Sequence, residues 1–376
     1  MPRRHPQSLR VSVFLAAVFV ATTSAAQQPP EVVPFDSTQV SAQASRSSDA
    51  PINFSAAQPT TSLPREQPSV SQTDERTSST VRLGEERSPF QLGMFGMPSV
   101  AVRGQAAELG VAGLNGSLAV PLKITPDGRD IWLATSAVDY WQLHTNAILP
   151  DSQLPVPGEL WKASLGTMYL HNYEDGRRIG GLLSVGSASD RPFDDVRDMT
   201  LTSLAFYEVP RGPRDAWNFS LFYSPTSQLP YPIPGVAYAW RPNSRLTANI
   251  GIPFSLRFCP NDLWSISADY RPLTDVRLRA ERTILENWSL YAGYEVTNET
   301  FWLAERSRSE DRLYFFDQRA LLGVERRLPA GFCLDLSAAY LFDRQIFQAE
   351  SFSGHRLDKL DLASGLGLSL RLLWSR

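Results

Sequence analysis

The stretch LGLSLRLLW, from Leu366 to Trp374, lies almost at the end of the chain and alternates in character. Leucines and the final tryptophan take the even-numbered positions, whereas Gly367, Ser369 and Arg371 take odd-numbered ones. In an extended strand a period of two puts the two sets on opposite faces, whereas on a helix residues i and i+2 point in different directions. The stretch therefore predicts a β-strand with one apolar and one polar face.

The same alternation recurs upstream, from about residue 98 onwards. It is clearest in residues 331–342, 288–296, 276–281, 264–270 and 118–124. The region is also dense in β-branched and aromatic residues, which favour strands over helices. We therefore predict an all-β fold for residues 98–376.

The links between these segments alternate between short turns and longer loops. Short turn signals stand at residues 126–128, 174–176, 211–213, 242–244, 271–273 and 328–330. Longer polar or proline-rich links stand near residues 140–158, 188–197, 224–234, 253–261, 307–311 and 343–360. Short turns at one rim and long loops at the other are typical of an up-and-down antiparallel β-barrel. We expect an even number of strands between 12 and 16, although the short link at 283–286 departs from this alternation.

The apolar face is expected to point outward, as in a transmembrane β-barrel. A barrel of this size has a wide lumen, and the face opposite the apolar one carries the charges that would line it. The candidate lumen charges are Arg277, Arg279, Glu281, Asp269, Glu295, Asp317, Arg319, Asp335 and Arg371. Aromatic residues near strand ends predict girdles at the two membrane interfaces: Tyr140, Trp141, Tyr173, Trp264, Tyr270, Trp288 and Trp374. The alternative is a soluble β-sandwich with the apolar face inside.

The N-terminal part of the chain differs from the rest. Residues 1–26 predict a cleaved signal peptide, with arginines before a short apolar run at 11–21 and small residues at the expected cleavage site. Residues 27–97 predict a disordered linker, since Ser, Pro, Gln and Thr make up more than half of residues 27–80. We therefore expect an exported protein with a disordered N-terminal segment before the barrel.

A signal peptide, a Ser/Pro/Gln-rich spacer and alternating strands that end in LGLSLRLLW resemble bacterial outer-membrane β-barrel proteins. The resemblance covers about residues 98–376 and is to the class, or to one of its uncharacterised families. It implies an outer-membrane location, contact with outer-membrane lipid and assembly by the barrel-assembly machinery. In that class the last strand usually ends in an aromatic residue, which Trp374 matches, although Ser375 and Arg376 follow it.

Enzymatic chemistry finds little support. Four histidines are present, and a membrane-embedded hydrolase would rest on Ser353 with His355 or on His171. No Gly-x-Ser-x-Gly elbow, metal-ligand spacing, P-loop or dinucleotide fingerprint accompanies them. We therefore predict no enzyme and no cofactor, and the net charge of −3 argues against nucleic-acid binding.

Two functions stand ahead of the hydrolase. The first is a channel or passive transporter for small polar solutes, with rings of lumen charge tuning passage. The second is a closed structural or binding barrel that displays long outer loops. The lumen charges fit either function, because they could instead pair with one another and fill the lumen. Cys259, expected in a loop, and Cys333 are a candidate disulfide in an oxidising compartment.

Overall fold

A computed structural model describes residues 88–225, 231–271, 275–306 and 308–374. The predicted signal peptide (1–26) and the predicted linker up to residue 87 lie outside the described residues. No helix in the described ranges is long and apolar enough to cross a membrane.

The described chain forms one antiparallel sheet in which almost every strand pairs with its neighbours in sequence. The strands are β1 (Phe90–Ala101), β2 (Glu108–Ile124), β3 (Asp130–Thr145), β4 (Glu159–Asn172), β5 (Arg178–Ser189), β6 (Met199–Arg211), β7 (Asp215–Tyr223), β8 (Ile233–Asn243), β9 (Leu246–Gly251), β10 (Phe254–Asn261), β11 (Trp264–Arg271), β12 (Asp275–Leu285), β13 (Trp288–Phe301), β14 (Arg312–Arg327), β15 (Phe332–Ala349), β16 (Leu357–Leu362) and β17 (Gly365–Trp374). Strand β17 returns to pair with β1, from Trp374 opposite Phe90 to Leu368 opposite Gly96. The sheet is therefore closed into a barrel.

The wall has sixteen strands in the described part of the chain. Segments β16 and β17 both pair with β15, β16 with its second half and β17 with its first half. They form a single strand interrupted between Leu362 and Gly365. Sixteen is even and stands at the upper end of the predicted range, so the predicted up-and-down barrel is confirmed.

The barrel begins earlier than the predicted boundary at residue 98. Strand β1 starts at Phe90, so the segment from Phe90 to Met97 is wall and not linker. Pro98 obscured the pattern, since proline lacks the N–H that a ladder needs. It lies where the pairing of β1 with β2 shifts register, between Met97 and Val100, and the pairing resumes on both sides of it.

Residues 253–261 were predicted as a loop, and this prediction was wrong. They contain the whole of β10, whose pairing with β11 shifts register between Phe258 and Asn261, around Pro260. When β10 is counted as a strand, successive links again lie alternately at the two rims of the barrel. Strands β11 and β12 then meet at the rim of the long links, and the short link after Leu285 lies at the rim of the short turns.

Short turns define one rim, which we call the short-turn rim. Gly128, Gly176 and Gly212 have φ of 68°, 83° and 78° there, a backbone conformation that glycine adopts without strain. Both ends of the wall lie at this rim, and the Trp374 backbone N–H donates to the Ser88 hydroxyl at 2.7 Å. The links 146–158, 190–198, 302–311 and 350–356 lie at the opposite rim, which we call the long-loop rim.

Large apolar side chains cover the outside of the barrel. Leu165, Leu322 and Leu366 are 72%, 68% and 64% exposed, and they alternate with inward positions along their strands. An apolar belt of this extent is unfavourable in water and is what the hydrocarbon layer of a membrane requires. The apolar face thus points outward, as in bacterial outer-membrane barrels, and the sandwich alternative is excluded.

Candidate functional site: the barrel lumen

The structure places all of the predicted lumen charges on the inward face. In β12, Arg277, Arg279 and Glu281 alternate with outward residues such as Leu278. Register aligns these charges with others on neighbouring strands. Directly opposite one another are Asp269 and Arg277, Arg277 and Glu295, Glu295 and Arg319, and Asp335 and Arg371.

Arg279 is held by two carboxylates that belong to different strands. Its guanidinium lies 2.6 Å from Glu325 of β14 and 3.3 Å from Glu281 of its own strand. The Tyr291 ring, 3.6 Å from the Arg279 guanidinium carbon, stacks against it. This charge is therefore neutralised within the wall.

The remaining predicted charges on β12–β17 are paired in the same way. Arg371 lies 2.7 Å from Asp335, and the Tyr291 hydroxyl donates to the same carboxylate at 2.8 Å. Arg319 donates to both carboxylate oxygens of Asp317, and Arg277 lies 4.0 Å from Glu295. This side of the lumen is lined by ion pairs more than by free charges.

The long-loop end of β13 contacts β4 and β5, which lie on nearly the opposite side of the ring. Lys162 of β4 forms an ion pair with Glu299 of β13, and its ammonium group lies 4.6 Å from the centre of the Phe301 ring. Beyond the end of β13, the Trp302 N–H donates to the Ala188 carbonyl at 2.7 Å. These contacts, which we call the pinch, divide the barrel at its long-loop rim into two lobes.

A buried ion pair extends the pinch. Arg306 lies 2.8 Å from Asp198, and their side chains are only 8% and 2% exposed. Arg306 also donates to the Leu303 carbonyl at 2.7 Å and packs over the Trp302 ring at 4.9 Å. We call this pair the latch, because it joins the β13–β14 link to the short helical turn before β6.

An apolar cluster fills the lobe formed by β14–β17 and β1–β4. The β3–β4 link folds inward, and its Leu149 is completely buried against side chains from the surrounding strands. We call residues 147–156 the plug. The buried members of the cluster are Val102, Leu109, Val111, Trp141, Leu143, Ala147, Leu149, Val156, Leu160, Phe301, Leu303, Leu313, Phe315, Ile346, Leu360 and Leu362.

Polar contacts fasten the plug to the wall. The Gln105 side chain donates to the Ile148 carbonyl at 2.6 Å and accepts from the Ile148 N–H at 3.1 Å. The Asp358 carboxylate accepts from the Asp151 and Ser152 N–H groups at 2.7 Å each, and the Asp358 N–H donates to the Asp151 carboxylate at 2.6 Å. The plug is therefore held in a defined position against the barrel wall.

The second lobe has a different lining, which we call the polar lane. It is lined by inward side chains of β7–β11, which include Asn218, Ser220, Ala237, Ala239, Thr247, Asn249, Ser255, Arg257, Ser265, Ser267 and Asp269. Thr247 and Arg257 stand directly opposite one another and are both exposed. The β9–β10 link at this lobe's long-loop rim has only two residues, Ile252 and Pro253, so it is too short to fold inward as the plug does.

The predicted interface aromatics lie on the outside, at both rims. Trp264, Trp288 and Trp374 lie at the short-turn rim and Tyr270 at the long-loop rim. Cross-strand arginines cover two of the tryptophans, with Arg282 at 5.6 Å from Trp264 and Arg326 at 5.0 Å from Trp288.

Trp141 was wrongly predicted to belong to the girdle. It points inward and makes edge contacts with the rings of Phe95, Phe301 and Phe315 at 5.4–5.5 Å. Its neighbour Tyr140 faces outward and packs on Trp161 at 4.3 Å. The sequence did indicate this inward orientation. Trp141 is two residues after the polar Asp139 on β3, and residues two apart lie on the same face of a strand.

Cys259 and Cys333 are free thiols in the structure. Cys259 lies on β10, not in the predicted loop, and Cys333 lies on β15, so that four strands stand between them. The Cys259 sulfur instead lies 3.9 Å from the Ser265 hydroxyl. The candidate disulfide is not formed, because the order of strands in the sheet keeps Cys259 and Cys333 far apart. The number of residues between them in the sequence does not indicate this distance.

The candidate hydrolase residues lie at opposite ends of the barrel. His171 lies at the short-turn rim, where its Nδ1 is 2.7 Å from Asp130 and the Tyr169 hydroxyl donates to the same carboxylate. Ser353 and His355 are exposed in the β15–β16 link at the long-loop rim. The structure thus does not combine them into one site.

No protein-family model matches the chain, and no curated protein matches it. Among solved structures it is similar to the β domain of the Bordetella autotransporter BrkA, with 11% identity over 77% of this chain and 100% of that one and a TM-score of 0.30. It is also similar to an outer-membrane channel from Pseudomonas putida F1 (9% identity, 77% and 97% covered, TM-score 0.32). A third is the Pseudomonas putida toluene transporter TodX (8% identity, 77% and 89% covered, TM-score 0.33).

Proposed function

We propose that this protein is a passive channel of the bacterial outer membrane for small polar solutes, and that the polar lane is their route. The observation that carries the proposal is the contrast between the two lobes. One lobe is filled by the apolar cluster around Leu149, whereas the other presents small and polar side chains with Thr247 and Arg257 exposed. Water-lined paths through barrels are built from such inward-facing polar residues.

The proposal includes export and insertion. A signal peptide at residues 1–26 would deliver the chain to the periplasm, and Trp374 at the end of β17 would serve the barrel-assembly machinery. The outward apolar belt and the tryptophans at the short-turn rim support contact with outer-membrane lipid. Membrane fractionation followed by electrophoresis with and without boiling tests this part, and a heat-modifiable band in the outer-membrane fraction is the expected result.

A closed structural or binding barrel is the competing function. The fastened plug and the paired charges on β12–β17 favour it, since both fill space that a wide pore would leave to water. The two functions differ in one measurable property. A closed barrel conducts no ions, whereas the polar lane predicts a small but steady single-channel conductance.

Planar bilayers provide the test. The purified full-length barrel should conduct, and Thr247→Trp should reduce its conductance severalfold, because the indole would occupy the lane next to Arg257. The matched control is Ile250→Trp, on the same strand but 51% exposed on the outer face, which should conduct as the wild type does. Arg277→Ala and Arg279→Ala should also change the conductance, because each leaves its partner carboxylates in the lumen without a countercharge. A folded, heat-modifiable barrel that never conducts would overturn the channel and leave the closed barrel.

A further inference from the structure

Arg257 differs from the other inward arginines near the polar lane. Arg277 faces Glu295, Arg279 is held by Glu281 and Glu325, and Arg178 lies 3.9 Å from Glu208. Within the described ranges, no carboxylate pairs with Arg257, and its side chain is exposed although it points into the barrel. Its positive charge is therefore not cancelled locally.

Residues with hydroxyl side chains lie opposite Arg257 on both neighbouring strands. Thr247 of β9 and Ser267 of β11 are its direct cross-strand partners, on the same inward face. Ser255 and Ser265 occupy the next inward positions, two residues before Arg257 on β10 and two before Ser267 on β11. Guanidinium and hydroxyl groups are both hydrogen-bond donors, and together they suit an anion with several acceptor oxygens.

The nearest acidic residue in the lane is already engaged. Asp269 lies on β11, two residues beyond Ser267, and it stands directly opposite Arg277. Asp269 has an interaction partner in the structure, so it is not a free countercharge for Arg257. The inward pairs on β12–β14 join three arginines to four carboxylates, so they supply no net positive charge.

We propose that Arg257, with Thr247 and Ser267, forms an anion-binding point in the polar lane, and that the solutes of this channel are small anions. This inference rests on the proposed channel function and narrows its substrate class. A single uncancelled charge on the wall of a narrow, low-dielectric passage raises the local concentration of ions of opposite sign. It does so without binding them so tightly that they fail to leave.

The test is the reversal potential of single channels in a potassium chloride gradient. Wild type should prefer chloride, Arg257→Gln should lower the chloride-to-potassium permeability ratio at least twofold, and Arg257→Glu should make the channel prefer potassium. Inorganic phosphate should inhibit the chloride current of wild type and lose this effect in Arg257→Gln. Heat-modifiability on gels would show that each variant is folded.

Arg282→Gln is the matched control, because it removes the same charge from the outer face, where Arg282 covers Trp264. It should leave the permeability ratio unchanged. A conducting channel whose selectivity and phosphate response are the same in Arg257→Gln and wild type would overturn this inference alone. Absence of any wild-type conductance would overturn the channel proposal and this inference with it.

Discussion

Lys162 of β4 and Glu299 of β13 form an ion pair that spans the barrel lumen. Seven strand-to-strand steps separate them along the shorter way round the wall, so the pair holds opposite walls close together. A lone ammonium or carboxylate facing a lumen would be hydrated, and the pair replaces that water with a direct contact. The pinch therefore sets which part of the lumen can hold solvent.

Breaking this pair should loosen the pinch with a modest loss of stability. Glu299 is 39% exposed, so water screens the attraction and we expect Glu299→Gln to cost about 1 kcal/mol of unfolding free energy. A double-mutant cycle with Lys162→Met, followed by urea unfolding in detergent, measures the coupling. Additive effects of the two substitutions would show that the pair does not hold the walls together.

The latch should be more sensitive, because both of its side chains are buried. Asp198→Asn leaves the Arg306 guanidinium in a dry site without its countercharge, which costs about 3 kcal/mol. Because Arg306 also holds the link beyond Trp302, we expect the long-loop rim to open and the single-channel current to become larger and noisier. Unfolding and planar-bilayer recordings on the same variant check both effects.

An exposed ion pair in the same region is the control for the latch. Arg191 and Glu305 lie 3.0 Å apart, but their side chains are 57% and 66% exposed. Exposed pairs contribute little, so Glu305→Gln should change neither stability nor current measurably. If Asp198→Asn behaved in the same way, the latch would have no role in closing the mouth.

The two cysteines should behave as separate thiols. Because Cys259 and Cys333 lie on β10 and β15 with four strands between them, the denatured, unreduced protein should take up two equivalents of a maleimide reagent. Cys259→Ser should take up one. Uptake of none before reduction, and of two after it, would show that the disulfide forms and that the strand order is wrong.

The sequence predicted the faces of the strands better than the course of the links. A period of two assigns each residue to a face, and this alone predicts that Arg277, Asp335 and Arg371 point inward. Proline inside a strand interrupts this period of two. Pro98 and Pro260 lie where β1 and β10 shift register, and both strands were misassigned for that reason.

Contacts across the lumen could not be predicted at all. Lys162 and Glu299 are 137 positions apart in sequence, and nothing in the local pattern of β4 or β13 indicates that these strands meet. The plug was likewise read as an ordinary long loop, because its alternating Ala147 and Leu149 are too few to stand out. Arg257 was missed because it lies in the segment predicted as a loop.

Shortening one buried side chain of the plug tests whether the packing of the plug, and not only the length of the link, closes this lobe. Leu149 is completely buried, so Leu149→Ala should destabilise the plug by about 2–5 kcal/mol through lost contacts and the cavity left behind. Its neighbour Ile148 is 46% exposed, and Ile148→Ala is the matched control with little expected effect. Hydrogen exchange of residues 146–158 measures the loosening, and bilayer recordings should show a second, larger conductance level in Leu149→Ala. If exchange rises while the conductance stays the same, the cluster beneath the plug closes this lobe by itself.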